Sequence, residues 1–171
     1  MGVKREKLYL YFMTGTGNSR RVSEWLAKKA EEKAYQVGKS QLGAAYPLKI
    51  PSFDSATDTI GIVMPTHGFT APWPVIKFAL TLPFGSFTRA FVLATRAGTK
   101  IGSITLPGLE GTACYLVALI LFLKGYRTHP LSICCWGASD WQNFFTHPTA
   151  AMVVGSAEIA TYSDFLLNKK V

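Results

Sequence analysis

Cysteine, acid and long apolar runs are all scarce in this sequence, and each shortage excludes something. The three cysteines, Cys114, Cys134 and Cys135, cannot all pair, and none forms a C-x-x-C. A disulfide-stapled secreted scaffold is therefore excluded, and a reducing cytoplasm is the expected compartment. Charged residues make up 16% of the chain while 49% is hydrophobic, against about a quarter charged in an average domain. That balance excludes disorder and coiled coil. Mean hydropathy is +0.19, high enough to raise the question of membrane spans. The longest apolar run, 113–123, is eleven residues, well short of the ~20 that a spanning helix needs. It reads as a buried core helix, and only a peripheral membrane contact stays open.

Other absences narrow the chemistry. The basic start resembles a signal peptide, but the apolar stretch at 8–13 runs into Gly15 and Gly17 and is too short for a signal core. Glu6 breaks the myristoylation pattern. No G-x-S-x-G elbow is present, so nucleophilic hydrolysis is not expected. His67, His129 and His147 are isolated, and the adjacent Cys134 and Cys135 would face opposite sides of a strand; no metal site is expected. Acid is the scarcest charge. Ten Asp and Glu stand against eighteen Lys and Arg, a net +8, which serves solubility or, more sharply read, an anionic partner such as nucleic acid, a lipid headgroup, an acidic protein or a small anion. Nucleic acid is disfavoured, because no helix-turn-helix, zinc-finger or stacked-aromatic signature accompanies the charge.

What is present alternates. No repeat or linker divides the chain, so residues 1–171 read as one domain. Apolar, β-prone runs predict strands at 8–13, around 46–50, and at 59–64, 88–95 and 127–136. Helical spacing predicts helices at 19–36, 74–82, 110–123 and 149–168. Continuous rather than alternating apolar strands are buried on both faces, as in a parallel sheet with a helix layer on each side. In such α/β sheets ligands bind beyond the carboxyl ends of the strands. Three loops rich in Gly, Thr and aromatics, at 14–19, 65–73 and 95–99, fall at such ends.

The first of these loops, TGTGNS, leads from a strand into a helix, an arrangement that presents unpaired N–H groups to an anion. It lacks the lysine of a nucleoside triphosphate loop. It also lacks the third glycine and the distant acid of a dinucleotide fingerprint. What it has is hydroxyls and amides, enough to surround a phosphate monoester without a cation; a polar helix cap with tight-turn glycines would read the same way. YFMTGTGNS resembles the phosphate-binding loop of the flavodoxin family, [ST]-x-T-G-x-[ST]. The match falls on Thr14, Thr16, Gly17, Asn18 and Ser19. IGIVMPTHGFTAPWPVIKF is similar to the flavodoxin-like domain of ferredoxin-containing flavoproteins. Their cluster-binding cysteines are missing here, so an iron–sulfur cluster is not implied.

The resemblance implies a three-layer α/β sandwich whose five-stranded parallel sheet has the order 2-1-3-4-5, with FMN as cofactor. The ring would lie between Thr66, His67, Gly68, Phe69 and Trp73 on one side and Thr95, Arg96, Ala97 and Gly98 on the other. Trp141 is a further aromatic candidate. Gly68 would let a peptide turn its carbonyl toward flavin N5–H, and the residues at 95–98 would offer backbone N–H groups to the pyrimidine oxygens. Arg20, Arg21, Arg96 and Lys100 could form a basic collar for an acidic redox protein, ferredoxin-like or a reductase, or for an anionic substrate. The expected role is electron transfer. The alternatives are a small FMN-dependent flavin or quinone reductase, and a module that keeps the fold without FMN. Excess apolar surface would fit a homodimer.

Overall fold

Residues 7–12, KLYLYF, form the strand about which the rest is laid. In the computed structural model, which describes residues 6–43, 50–54, 57–67, 70–97, 99–101, 104–106 and 112–135, β1 (Lys7–Phe12) is paired in parallel on both edges. Its side chains alternate between two cores. Leu8, Leu10 and Phe12 pack under helix α1 (Asn18–Glu32) with Val22, Leu26, Ala27 and Ala30. Tyr11 packs on the opposite side with Phe78 and Val75 of α2 (Trp73–Thr81) and Val117 and Leu121 of α3 (Ala113–Leu123). Period two in the strand and 3.6 in the helices is what makes both layers possible.

The remaining strands are β2 (Gln36–Gln41), β3 (Asp58–Pro65), β4 (Arg89–Ala97), β5 (Thr99–Ile101), β6 (Ile104–Leu106) and β7 (Arg127–Cys135). The main sheet runs β2-β1-β3-β4-β7, all parallel. With the small β5–β6 hairpin set aside, this is the order 2-1-3-4-5 expected from the resemblance. Gly61 has no room for a side chain. A Cβ there would lie 2.4 Å from the Phe91 ring and 2.6 Å from Leu10.

Two boundaries differ from the expectation for physical reasons. The second strand lies at Gln36–Gln41 rather than around 46–50. Its sequence, QVGKSQ, is an edge strand with little buried surface, so it carries no apolar run to announce it. Backbone bonds hold it, with the Gln36 N–H donating to Glu6 O and the Leu42 N–H to Phe12 O at 2.9 and 2.7 Å. The first helix accordingly stops four residues early, where Ala34 adopts a left-handed φ of 63° and delivers buried Tyr35 to the core. The expected helix at 149–168 lies outside the described residues, of which 44–49 also form no part. No helix among the described residues is long and apolar enough to cross a membrane.

Candidate functional site

Thr14 opens the first loop at the carboxyl end of β1. Its Oγ1 accepts the Gly17 N–H at 2.9 Å, which leaves its own proton free to point away from the loop. Gly17 has φ 90°, the left-handed region, and serves as N-cap of α1 without a capping side chain. The first backbone bond of the helix runs from the Arg21 N–H to Gly17 O. Helical geometry therefore leaves the Asn18, Ser19 and Arg20 N–H groups without acceptors in the helix. Thr16 is exposed and Asn18 half-buried. An added Cβ at Gly15 or Gly17 would meet nothing within 4 Å, so both glycines face open space.

The helix that follows is charged against its own dipole. Its first turn contains no acid and carries Arg20 and Arg21, although a helix N-terminus favours carboxylates. Arg20 is turned aside to Glu24 by a 2.9 Å salt bridge. A local preference broken in this way is expected where a site, rather than the fold, selects the residues. An anion in the loop would reverse the balance, since the open amides and the dipole favour it.

Ser19 departs from its expected part. Ser19 is 1% exposed, and its hydroxyl lies 2.8 Å from the Thr95 hydroxyl. It faces the sheet, so Ser19 brings only its backbone N–H to the loop. Thr95 is itself 5% exposed and donates more weakly to Met64 O at 3.3 Å, while its carbonyl accepts the Thr66 N–H at 3.1 Å. Thr95 thus ties the ends of β3 and β4 to the start of α1. Thr95, expected as a ring contact, has this tying role that the sequence motif does not announce. The signal lies in the strand instead: Phe91 and Leu93 face α1, and the same alternation carries residue 95 to the helix N-terminus.

The second loop is partly described. Thr66 is half-buried and His67 exposed. His67 and Thr70 exchange backbone bonds of 2.9 and 3.0 Å, an isolated antiparallel bridge. Gly68 and Phe69 themselves, like Gly98 and Trp141, lie outside the described residues. Trp73 begins α2 and is 61% exposed, with Lys77 Nζ 5.5 Å from its ring centroid. The third loop starts later than expected. Arg96 and Ala97 remain in β4, in register with Cys134 and Cys135 of β7, and Lys100 lies in the β5 strand of the hairpin. The extra strand pairing explains why 96–97 is not loop: β7 reaches as far as β4 does.

Acid is sparse at this end of the sheet, where Glu24 is paired with Arg20. Between residues 59 and 109 the sequence has no Asp or Glu, and 7–23 has none either. The described residues contain no group of three or more His, Cys, Asp or Glu that could hold a metal ion.

No protein-family model matches the chain, and no curated protein matches it in sequence. Among solved structures it is similar to a short-chain flavodoxin associated with a non-canonical PDU bacterial microcompartment, at 11% identity and TM-score 0.63 over 95% of this chain and 97% of that one. It is similar also to an azoreductase from Bacillus anthracis str. Sterne, at 12% identity and TM-score 0.61 over 93% and 99%. The Streptococcus pneumonia TIGR4 flavodoxin gives 13% and 0.61 over 96% and 99%. At such identities the likeness is one of fold.

Proposed function

Taking the flavodoxin-like fold as premise, we propose that the chain binds FMN at the carboxyl edge of its sheet and carries electrons for a partner protein. One observation bears most of the weight. The 14–20 segment presents hydroxyls and unused amides beside glycines that face open space, and the nearest acid in sequence, Glu24, is paired with Arg20. Such a set fits a phosphate monoester, which needs several convergent donors. Thr14 and Thr16 hydroxyls, the Asn18 side chain and the amides of Asn18, Ser19 and Arg20 would hold the phosphate. Thr66, His67 and Trp73 would flank the ring on one side, and the end of β4 on the other, with an apolar indole offering a face to a flat π system.

When bound, FMN supplies one- and two-electron redox chemistry; the chain binds it, orients it and sets the charge around it. Here that charge is positive. A cation ~7 Å from an anionic reduced ring contributes roughly 0.6–2.4 kcal/mol at dielectric ~80 to ~20, a shift of tens of millivolts toward an easier reduction. The same cations would steer an acidic redox protein, with on-rates that fall as salt rises. The sequence offers no nicotinamide-binding motif, which favours a carrier over a reductase, and the low cysteine content favours a reducing cytoplasm.

Purified protein should be yellow and release FMN on denaturation. A colourless protein that takes up no added FMN would leave only a fold-sharing module. Unaided oxidation of NAD(P)H by the holoprotein would make it a reductase rather than a carrier.

A further inference from the structure

The opposite end of the sheet carries a feature that electron transfer at the carboxyl edge does not use. α2 and α3 pack side by side, and the 82–88 loop lies at their ends, before β4. Leu80, Phe84, Phe87, Leu119, Phe122 and Leu123 are all exposed there, Phe84 by 81% and Phe87 by 76%. Single exposed leucines are ordinary. Six large apolar side chains gathered at one end mark an interaction surface.

The loop is built to hold its phenylalanines outward. Tyr126 is buried and donates its hydroxyl to Pro83 O at 2.7 Å. Its ring fills the space beside Gly85, where an added Cβ would come within 2.5 Å. The Gly85 N–H donates to Lys124 O and the Phe87 N–H to Gly125 O, both at 2.8 Å, and the Thr88 N–H closes the turn on Gly85 O at 2.7 Å. At the turn's centre Ser86 and Phe87 have φ of 42° and 65°, a conformation suited to Asn and Gly. Phe87 is thus unfavourable for the fold twice over, in its backbone and in its exposure. Strain retained at a residue that buries nothing points to a contact outside the chain.

Charge selects the kind of contact. Segments 73–89 and 112–128 contain Lys77, Arg89, Lys124 and Arg127 and not one Asp or Glu. Arg89 is matched by Glu6 at 3.9 Å. Lys124 sits within the patch, its Nζ 5.5 Å from the Phe84 ring centroid and donating to Leu80 O at 2.7 Å. A second copy packed on the same face would bring a second Lys124 beside the first, and neither segment 73–89 nor 112–128 has a carboxylate to offset it. We propose that this end of the molecule docks on an anionic lipid bilayer, with Phe84 and Phe87 in the headgroup region and Lys124 and Arg127 toward lipid phosphates. A lysine whose stem covers apolar surface while its ammonium stays at the rim suits that boundary. The candidate cofactor site, at the other edge of the sheet, would face away from the membrane. The inference does not depend on what that site binds.

Co-sedimentation of the full chain with phosphatidylserine–phosphatidylcholine vesicles, and with phosphatidylcholine alone, tests it. Binding should require the anionic lipid and weaken as salt rises. Phe87→Gly should lower partitioning about tenfold while leaving the unfolding temperature unchanged or higher, because glycine accepts the turn's φ. Phe84→Ser should lower partitioning likewise, and Lys124→Gln should weaken binding to the anionic vesicles only. A fall in unfolding temperature in Phe87→Gly would make Phe87 structural and overturn the proposal. Equal affinity for both vesicle types, or no binding to either, would overturn it too. So would a dimer lost in Phe87→Gly, or salt-sensitive binding to an acidic protein, in a chain that ignores vesicles.

Discussion

Replacing Thr95 with valine keeps the shape of the side chain and removes a hydroxyl that joins α1 to the sheet. Thr95 Oγ1 stands 2.8 Å from Ser19 Oγ and 3.3 Å from Met64 O, all of it buried. The variant loses a hydrogen bond worth ~1 kcal/mol and strands the Ser19 hydroxyl, at a further ~1–3 kcal/mol. Burying valine's extra methyl offsets ~1 kcal/mol of this. The net expectation is a loss of about 1–3 kcal/mol, or a fall of ~2–12 °C in unfolding temperature for a domain of this size. Ser19→Ala should cost less, because Thr95 can still donate to Met64 O. The two together should cost ~1 kcal/mol less than the sum, as for any directly bonded pair. Urea unfolding of the four proteins in the cycle measures this. Additive changes below about 0.3 kcal/mol each would refute the claim that these hydroxyls hold the loop. FMN affinity should drop in Thr95→Val as well, since the amides that would meet the phosphate belong to the turn that Ser19 anchors.

Alkaline pH should unfold the protein through its buried tyrosines. Burial, foremost, pushes Tyr11, Tyr35 and Tyr126 up to about 12, with Glu6 adding to the rise at Tyr35. An unfolded tyrosine ionises near pH 10, so the native chain holds more protons between about 10 and 12. Stability is then complete below pH 10 and lost as the pH climbs to 12; tyrosinate absorbance should rise together with loss of structure, and independent titration near 10 would contradict it. Gly61→Ala should destabilise by about 1–3 kcal/mol, because its Cβ would overlap the Phe91 ring in a closely packed sheet; a change within about 0.5 kcal/mol in urea unfolding would mean the sheet yields there. Arg96→Glu should lower the reduction potential of the FMN-loaded protein by tens of millivolts, and an unmoved potential in redox titration would place that charge away from the ring.

The sheet was legible where burial is heavy. Runs such as 8–13 and 59–64 have no polar alternation because both faces are covered, and their composition alone assigns them to a parallel interior. β2 was not legible, because QVGKSQ is held at the edge by backbone bonds that any side chain permits. The exact end of β4 was hidden for a related reason: whether Arg96 and Ala97 are strand or loop depends on how far β7 extends beside them. In the site, the glycines, hydroxyls and amides of TGTGNS are written in the sequence. Which way each hydroxyl turns is not, since the inward rotation of Ser19 is settled by a partner 76 positions away.

Affinity for FMN measured beside affinity for riboflavin, by flavin fluorescence quenching on the stripped protein, isolates the phosphate loop from everything else in the cleft. Two net charge-assisted hydrogen bonds to the phosphate, at about 1.5 kcal/mol each, amount to a factor of ~100 in favour of FMN. Thr14→Ala and Thr16→Ala should each erode that ratio by reducing FMN binding while riboflavin binding stays the same. Equal affinities for the two flavins, or no binding of either, would contradict the assignment of residues 14–20 as a phosphate cradle.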